Sequence, residues 1–178
     1  MSPAFLKNNA DMVAAAKRCI ELRQFLPALI LMYSHIDTLA WAGSAKQKQS
    51  VRRNFESWVS RWLLPELSAK VPALTATDLY AARCGVLHSL TSKSDLSAAG
   101  VAKEMAYAWG TADALLLNSA IASTAYSNKL VTLHYNELHT SLTGAIAKFM
   151  KSTDSDSALL ARLEEAAGKH YVSVPAAE

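Results

Sequence analysis

The chain has 178 residues, enough for one well-filled core and short for two domains. Hydrophobic residues make up 51% and charged residues 19%, which excludes a disordered chain, and the six glycines and five prolines favour helices over a β-sandwich or barrel. The formal net charge of +3 falls far short of a dedicated duplex-DNA binder; it permits nucleic-acid contact and does not demand it.

Taken in order, residues 9–23 read as an amphipathic helix with Met12, Ala16, Cys19 and Ile20 near one stripe. Pro27 suits the first turn of a second helix, over 25–42, whose apolar surface runs almost all round and belongs at the centre of a bundle. Gly43 and Ser44 end it. A basic helix over 46–63 carries Phe55, Trp58, Val59 and Trp62, and Pro65 is expected to stop it. Thr75 and Asp78 form a helix-start signal for the segment 79–90. A polar loop follows, 91–100. Residues 104–109 and 130–135 have strand character, with a helix between them over 112–125, capped by Thr111; a hairpin-like pairing of the two strands is expected. Asn136 is placed to cap a helix through Leu138, Leu142, Ile146 and Phe149. A last helix spans 157–167, with Asp156 before it and Gly168 after it.

The expected fold is therefore mainly α: one helical-bundle domain over 1–171 with a short two-stranded β element, and a loose tail over 172–178. Residues 1–11 have no apolar signal-peptide core. The apolar stretch 25–42 carries Pro27, Ser34, His35 and Asp37, which are costly in a bilayer. The expectation is a cytoplasmic chain without a membrane partner. Cys19 and Cys84 read as reduced thiols rather than a disulfide framework. No phosphate-binding loop, nucleophile elbow or zinc-protease motif is present, and His35, His134 and His139 have no metal-ligand spacing; no cofactor and no metal are expected.

One segment carries chemistry. In DLYAARCGVLHSL, Arg83 and His88 are separated by four residues. Arg83 lies among Ala81, Ala82, Val86 and Leu87, where a cation needs an anionic partner, either a carboxylate such as Asp37 or a phosphate. Gly85 in mid-helix costs about 1 kcal/mol against alanine, which suggests close approach of another backbone or a ligand. On a plain α-helix, residues five apart point about 140° away from each other. One helix would then not aim both side chains at one atom, whereas two copies related by a two-fold axis would, so a homodimer through this helix is expected.

A helical domain of this length, with Arg83 and His88 late in the chain and the upstream helix YSHIDTLA bearing Asp37, resembles the HEPN superfamily. That resemblance implies a homodimeric bundle whose paired motifs form a metal-independent ribonuclease site, of toxin–antitoxin or phage-defence type. Arg83 and His88 would be catalytic and Asp37 orienting, with RNA as substrate and an antitoxin or other protein as partner. The polar residue that the family usually carries after the arginine is here Cys84, which removes one member of the network around the scissile phosphate. The alternative is a non-catalytic helical module that binds protein or nucleic acid.

Lys46, Lys48, Arg52 and Arg53, with Arg61, form a basic run beside Trp58 and Trp62 that suits nucleic acid. The plainer account is a solvated basic face with its tryptophans packed inward. For Arg83 it is a structural pair with Asp37, and for His88 a histidine favoured by the helix C-terminus.

Overall fold

The most apolar stretch of the sequence becomes the central helix in the computed structural model, which describes residues 3–45 and 50–169. Helix α2 (Phe25–Gly43) buries Leu29, Met32, Tyr33, Ile36 and Leu39 on several of its faces. By length and composition alone α2 could cross a bilayer; here the same apolarity fills the middle of a bundle. Helix α1 (Pro3–Glu21) packs along it and begins earlier than its apolar stripe suggests, because Phe5 is fully buried and anchors the first turn.

Helix α3 (Val51–Trp58), capped by Ser50, does not stop at Pro65 as expected. It runs into a π-helical turn (Val59–Leu63) and then α4 (Leu64–Leu67). Proline cannot donate a backbone N–H, and its ring strikes the carbonyl four residues back in a plain α-helix. The π turn widens the ladder before it, with the Leu64 N–H reaching the Val59 carbonyl, and Pro65 then falls in the first turn of α4, where a missing donor costs little. Trp58 and Trp62 meet the Phe149 ring edge-on, with centroids 5.8 and 5.6 Å away.

Helix α5 (Ala76–Cys84) opens with the Thr75–Asp78 capping box. Buried Asp78 also accepts the Lys103 N–H at 2.7 Å, which ties α5 to the chain entering the sheet. The segment 79–90 is not one α-helix: from Gly85 to Ser89 it is a second π turn, ended by Leu90 in a left-handed conformation (φ 54°). A Cβ on Gly85 would lie 2.6 Å from the Thr91 carbonyl oxygen and 3.0 Å from that of Lys93. The close approach inferred at Gly85 is thus made by the chain's own 91–93 segment. The polar 91–100 stretch contains one short helix, α6 (Asp95–Ala98), with a Ser94–Ser97 capping box.

The β element is a parallel pair. Strand β1 (Glu104–Ala108) and strand β2 (Leu130–His134) align Glu104 with Leu130 through Ala108 with His134. The hairpin expectation fails because the helix between them, α7 (Ala114–Ala122), carries the chain back to the starting end of β1, as a parallel connection requires. Its cap is Asp113 rather than Thr111; the carboxylate accepts the N–H groups of Leu115 and Leu116. Asn118 on α7 takes the place of a third strand. Its amide donates to the Thr132 carbonyl and accepts the Thr132 N–H, both at 2.7 Å. Helix α8 (Tyr135–Lys151) follows β2 without a loop, capped by His134, so the expected cap Asn136 lies inside the first turn. Helix α9 (Ser157–Ala167), capped by Asp156, closes the far end of α2.

Candidate functional site

Three elements converge on Arg83. Asp37 comes from α2, Tyr80 and Cys84 from α5, and His88 from the second π turn. The guanidinium donates through Nε and Nη2 to the same Asp37 oxygen, Oδ2, at 2.7 Å each. Its Nη1 lies 2.8 Å from His88 Nε2 and 3.9 Å from Cys84 Sγ. Arginine can only donate, so His88 Nε2 accepts, and the ring in this arrangement is neutral with its proton on Nδ1.

The π turn makes this contact. A π turn takes more residues per turn than an α-helix, so residues five apart across it diverge less than on a plain α-helix. The divergence expected between Arg83 and His88 belongs to a plain α-helix, and it is smaller here. The two side chains meet within one chain, and the geometric argument for a second copy at this helix falls away.

The pair is half-buried: the Arg83 and Asp37 side chains keep 13% and 21% of their exposure, while His88 is open to solvent. Burial pushes the Asp37 carboxyl above its ordinary range, against the pull of the Arg83 bonds and the Arg83 charge. For Arg83, burial opposes the cation, but the Asp37 bond and charge and the Cys84 contact together outweigh it and raise the group further. A guanidinium stays charged in proteins, so Asp37 faces a permanent cation. Oxygen Oδ1 of Asp37 is buried and accepts no hydrogen bond, an acceptor left open beside the cluster.

Tyr80 was not singled out from sequence. Its ring lies under two guanidinium groups, with the Arg52 and Arg83 Cζ atoms 5.8 and 5.9 Å from its centroid, and Phe55 meets it edge-on at 5.5 Å. Burial raises the Tyr80 hydroxyl's pKa, as does its bond to Cys84. Arg52 itself pairs with Glu56 at 2.9 Å. The charges of Asp37, Arg83, Arg52 and Glu56 cancel. A useful sequence signal for the cluster was Gly85, five-residue spacing and tyrosine together; the π turn that unites them has no simple signature.

Of the other basic residues that are described, Arg53 and Arg61 do not join the site. Arg53 is exposed, and Arg61 stacks on Trp62 at 4.7 Å. Lys46 and Lys48, like the 172–178 tail, lie outside the described residues. Trp58 is buried and Trp62 half-buried against Phe149, so neither offers an open stacking platform. The well-formed clefts also lie elsewhere. One of about 240 Å³ is lined by Gly43, Trp58, Arg61 and Arg162, and one of about 580 Å³ by Lys93, Glu104, Tyr126 and Lys129. His88 is open to solvent beside the mostly covered Arg83. Among the described residues, no group of three or more His, Cys, Asp and Glu side chains is placed to hold a metal ion. No family model, curated protein or solved structure matches the chain.

Proposed function

We propose that the protein is a HEPN-like, metal-independent endoribonuclease of toxin or phage-defence type. The observation that carries this reading is the 2.8 Å contact between Arg83 Nη1 and solvent-exposed His88 Nε2, with Asp37 fixing the guanidinium from behind. RNA supplies its own nucleophile. His88 Nε2 would take the proton of a 2′-hydroxyl as Arg83 Nη1 turns from the imidazole to a phosphate oxygen. The 2′-oxygen attacks phosphorus and the bond from phosphorus to the 5′-oxygen breaks, leaving a 2′,3′-cyclic phosphate; the departing 5′-oxygen takes a proton from solvent water, and His88 returns its own proton to solvent. Acid–base help of this kind is worth about 10²- to 10⁴-fold, and a guanidinium on the charged transition state adds to it. Both groups belong to one chain, so the chemistry does not require a second copy, although a homodimer remains compatible with it.

The test is incubation of the pure protein with mixed RNAs in EDTA, beside Arg83→Ala and His88→Ala. Cleavage should fall by about 10²-fold or more in each variant, the scale of one acid–base group. Activity that survives His88→Ala, or that is equal on DNA, would leave the second reading in front: a non-cutting module that binds RNA or a protein such as an antitoxin. The presence of Cys84 beside Arg83 favours that second reading.

A further inference from the structure

Helix α7 is out of keeping with its surroundings. Of its nine residues, ALLLNSAIA, only Ala114 is buried, while Leu115, Leu116 and Leu117 are 51%, 68% and 42% exposed. The inner side of the helix is Ala114, Asn118 and half-buried Ile121, at helical spacing, with Asn118 bonded to Thr132 of β2. The opposite side is Leu116, Ala120 and Ser123, flanked by Leu115, Ser119 and Ala122, all exposed. Consecutive leucines held in water are a hydrophobic cost that the described residues do not recover.

We propose that this face of α7 binds the same face of a second copy, the two helices running antiparallel about a two-fold axis near Ser119. Charge narrows the occupant. Between Thr111 and Asn128 the only charged side chain is Asp113, and it caps α7. Helix α7 itself therefore carries no basic side chain to attract nucleic acid or to hold it on an anionic bilayer. Shape narrows it further. The bulky residues stand at the start of α7 and the small ones at its end. Antiparallel pairing sets Leu115 and Leu116 of each copy against Ala120, Ala122 and Ser123 of the other, a self-complementary fit, as an isologous interface requires. Even complete cover of these faces in both copies would hide no more than roughly 1,000 Å², the floor for a specific interface, so the dimer is a weak one. This surface is separate from the Arg83–His88 site, and the proposal stands whether or not that site cuts RNA.

The experiment is sedimentation velocity of the full chain from about 2 to 200 µM, the span over which an interface of this size should dissociate. A monomer–dimer equilibrium is expected for the parent chain. Leu116→Arg should be monomeric throughout with an unchanged melting temperature, since the side chain touches mainly solvent in the monomer. Ser119→Cys, close to the axis, should form a disulfide-linked dimer under mild oxidation that the parent chain does not form. Monomer alone at the highest concentration would overturn the proposal. So would a dimer that Leu116→Arg leaves intact, which would place the interface elsewhere, such as on α5. Binding to neutral lipid vesicles that Leu116→Arg abolishes, without dimer formation, would make the face a membrane contact instead.

Discussion

His35 sits in the middle of α2, 3% exposed, and offers a sharp test of how the core is wired. Its Nε2 lies 2.6 Å from the Asn9 side-chain oxygen, and the Asn9 amide donates in turn to the Phe5 carbonyl. An amide oxygen only accepts, so Nε2 carries the proton in the neutral ring. Burial lowers the His35 pKa from 6.5 to about 4. The unfolded chain therefore takes up a proton near pH 6.5, and the folded chain does not until about pH 4. Across that window the unfolded state holds more protons, so stability falls as the pH falls. The contribution is complete above pH 6.5 and fades toward pH 4. Linkage gives about 2 kcal/mol lost between pH 7.5 and 5 from this group. Urea denaturation at the two pH values measures it, with His35→Gln as the reference because a glutamine amide can keep the donor to Asn9 without titrating. The parent chain should lose about 2 kcal/mol more than the variant over this interval. Equal losses would show that His35 is not held neutral inside the fold, and the buried link from α1 to α2 would have to be redrawn.

Further outcomes follow from other contacts. Gly85→Ala should destabilise the fold by about 1–3 kcal/mol in urea titrations, the cost of overpacking less the helix propensity gained, because the new Cβ would meet the Thr91 carbonyl at 2.6 Å. Asn118→Ala should cost about 1–3 kcal/mol by orphaning the Thr132 N–H and carbonyl, read as a lower midpoint together with faster amide exchange at Thr132. Asp37→Asn should cost roughly 1–3 kcal/mol, the value of a largely covered pair discounted for the solvent that still reaches it, and should strengthen RNA retention in low-salt filter binding by freeing the Arg83 charge. Pro65→Ala should change the urea midpoint by less than about 1 kcal/mol, since the first turn of α4 needs no donor there.

Much of the helical layout was readable because local chemistry agrees with the final packing. The apolarity of α2, the Thr75–Asp78 box and the Asp156–Gly168 bounds of α9 each act over a few residues, and tertiary contacts do not override them. The misreadings lie where long-range geometry decides. Strand direction depends on where α7 returns the chain, and alternating residues in two short runs look alike in parallel and antiparallel pairs. The His134 cap was hidden because a ring nitrogen rarely plays that role. At the candidate site, Arg83, Asp37 and His88 were identifiable as residue types in need of partners, yet their meeting in one chain depends on a π turn. One extra residue per helical turn resets every later spacing, and composition carries no record of it. Tyr80 was missed because an exposed-looking tyrosine on a helix reads as packing until two arginines are seen across its faces.

The bond pair between Asn118 and Thr132 also governs what the sheet can do in company. A two-stranded sheet normally presents a raw flank, and such flanks recruit strands from other molecules into growing aggregates. Here a single amide mimics both partners that an incoming strand would supply, at the middle of β2, and leaves no uninterrupted ladder on that side. Association by sheet extension along β2 would first have to pull α7 away. A chain with an unusually apolar helix on its surface is thereby steered toward contacts between side chains, which can close on themselves, and away from backbone ladders, which do not stop.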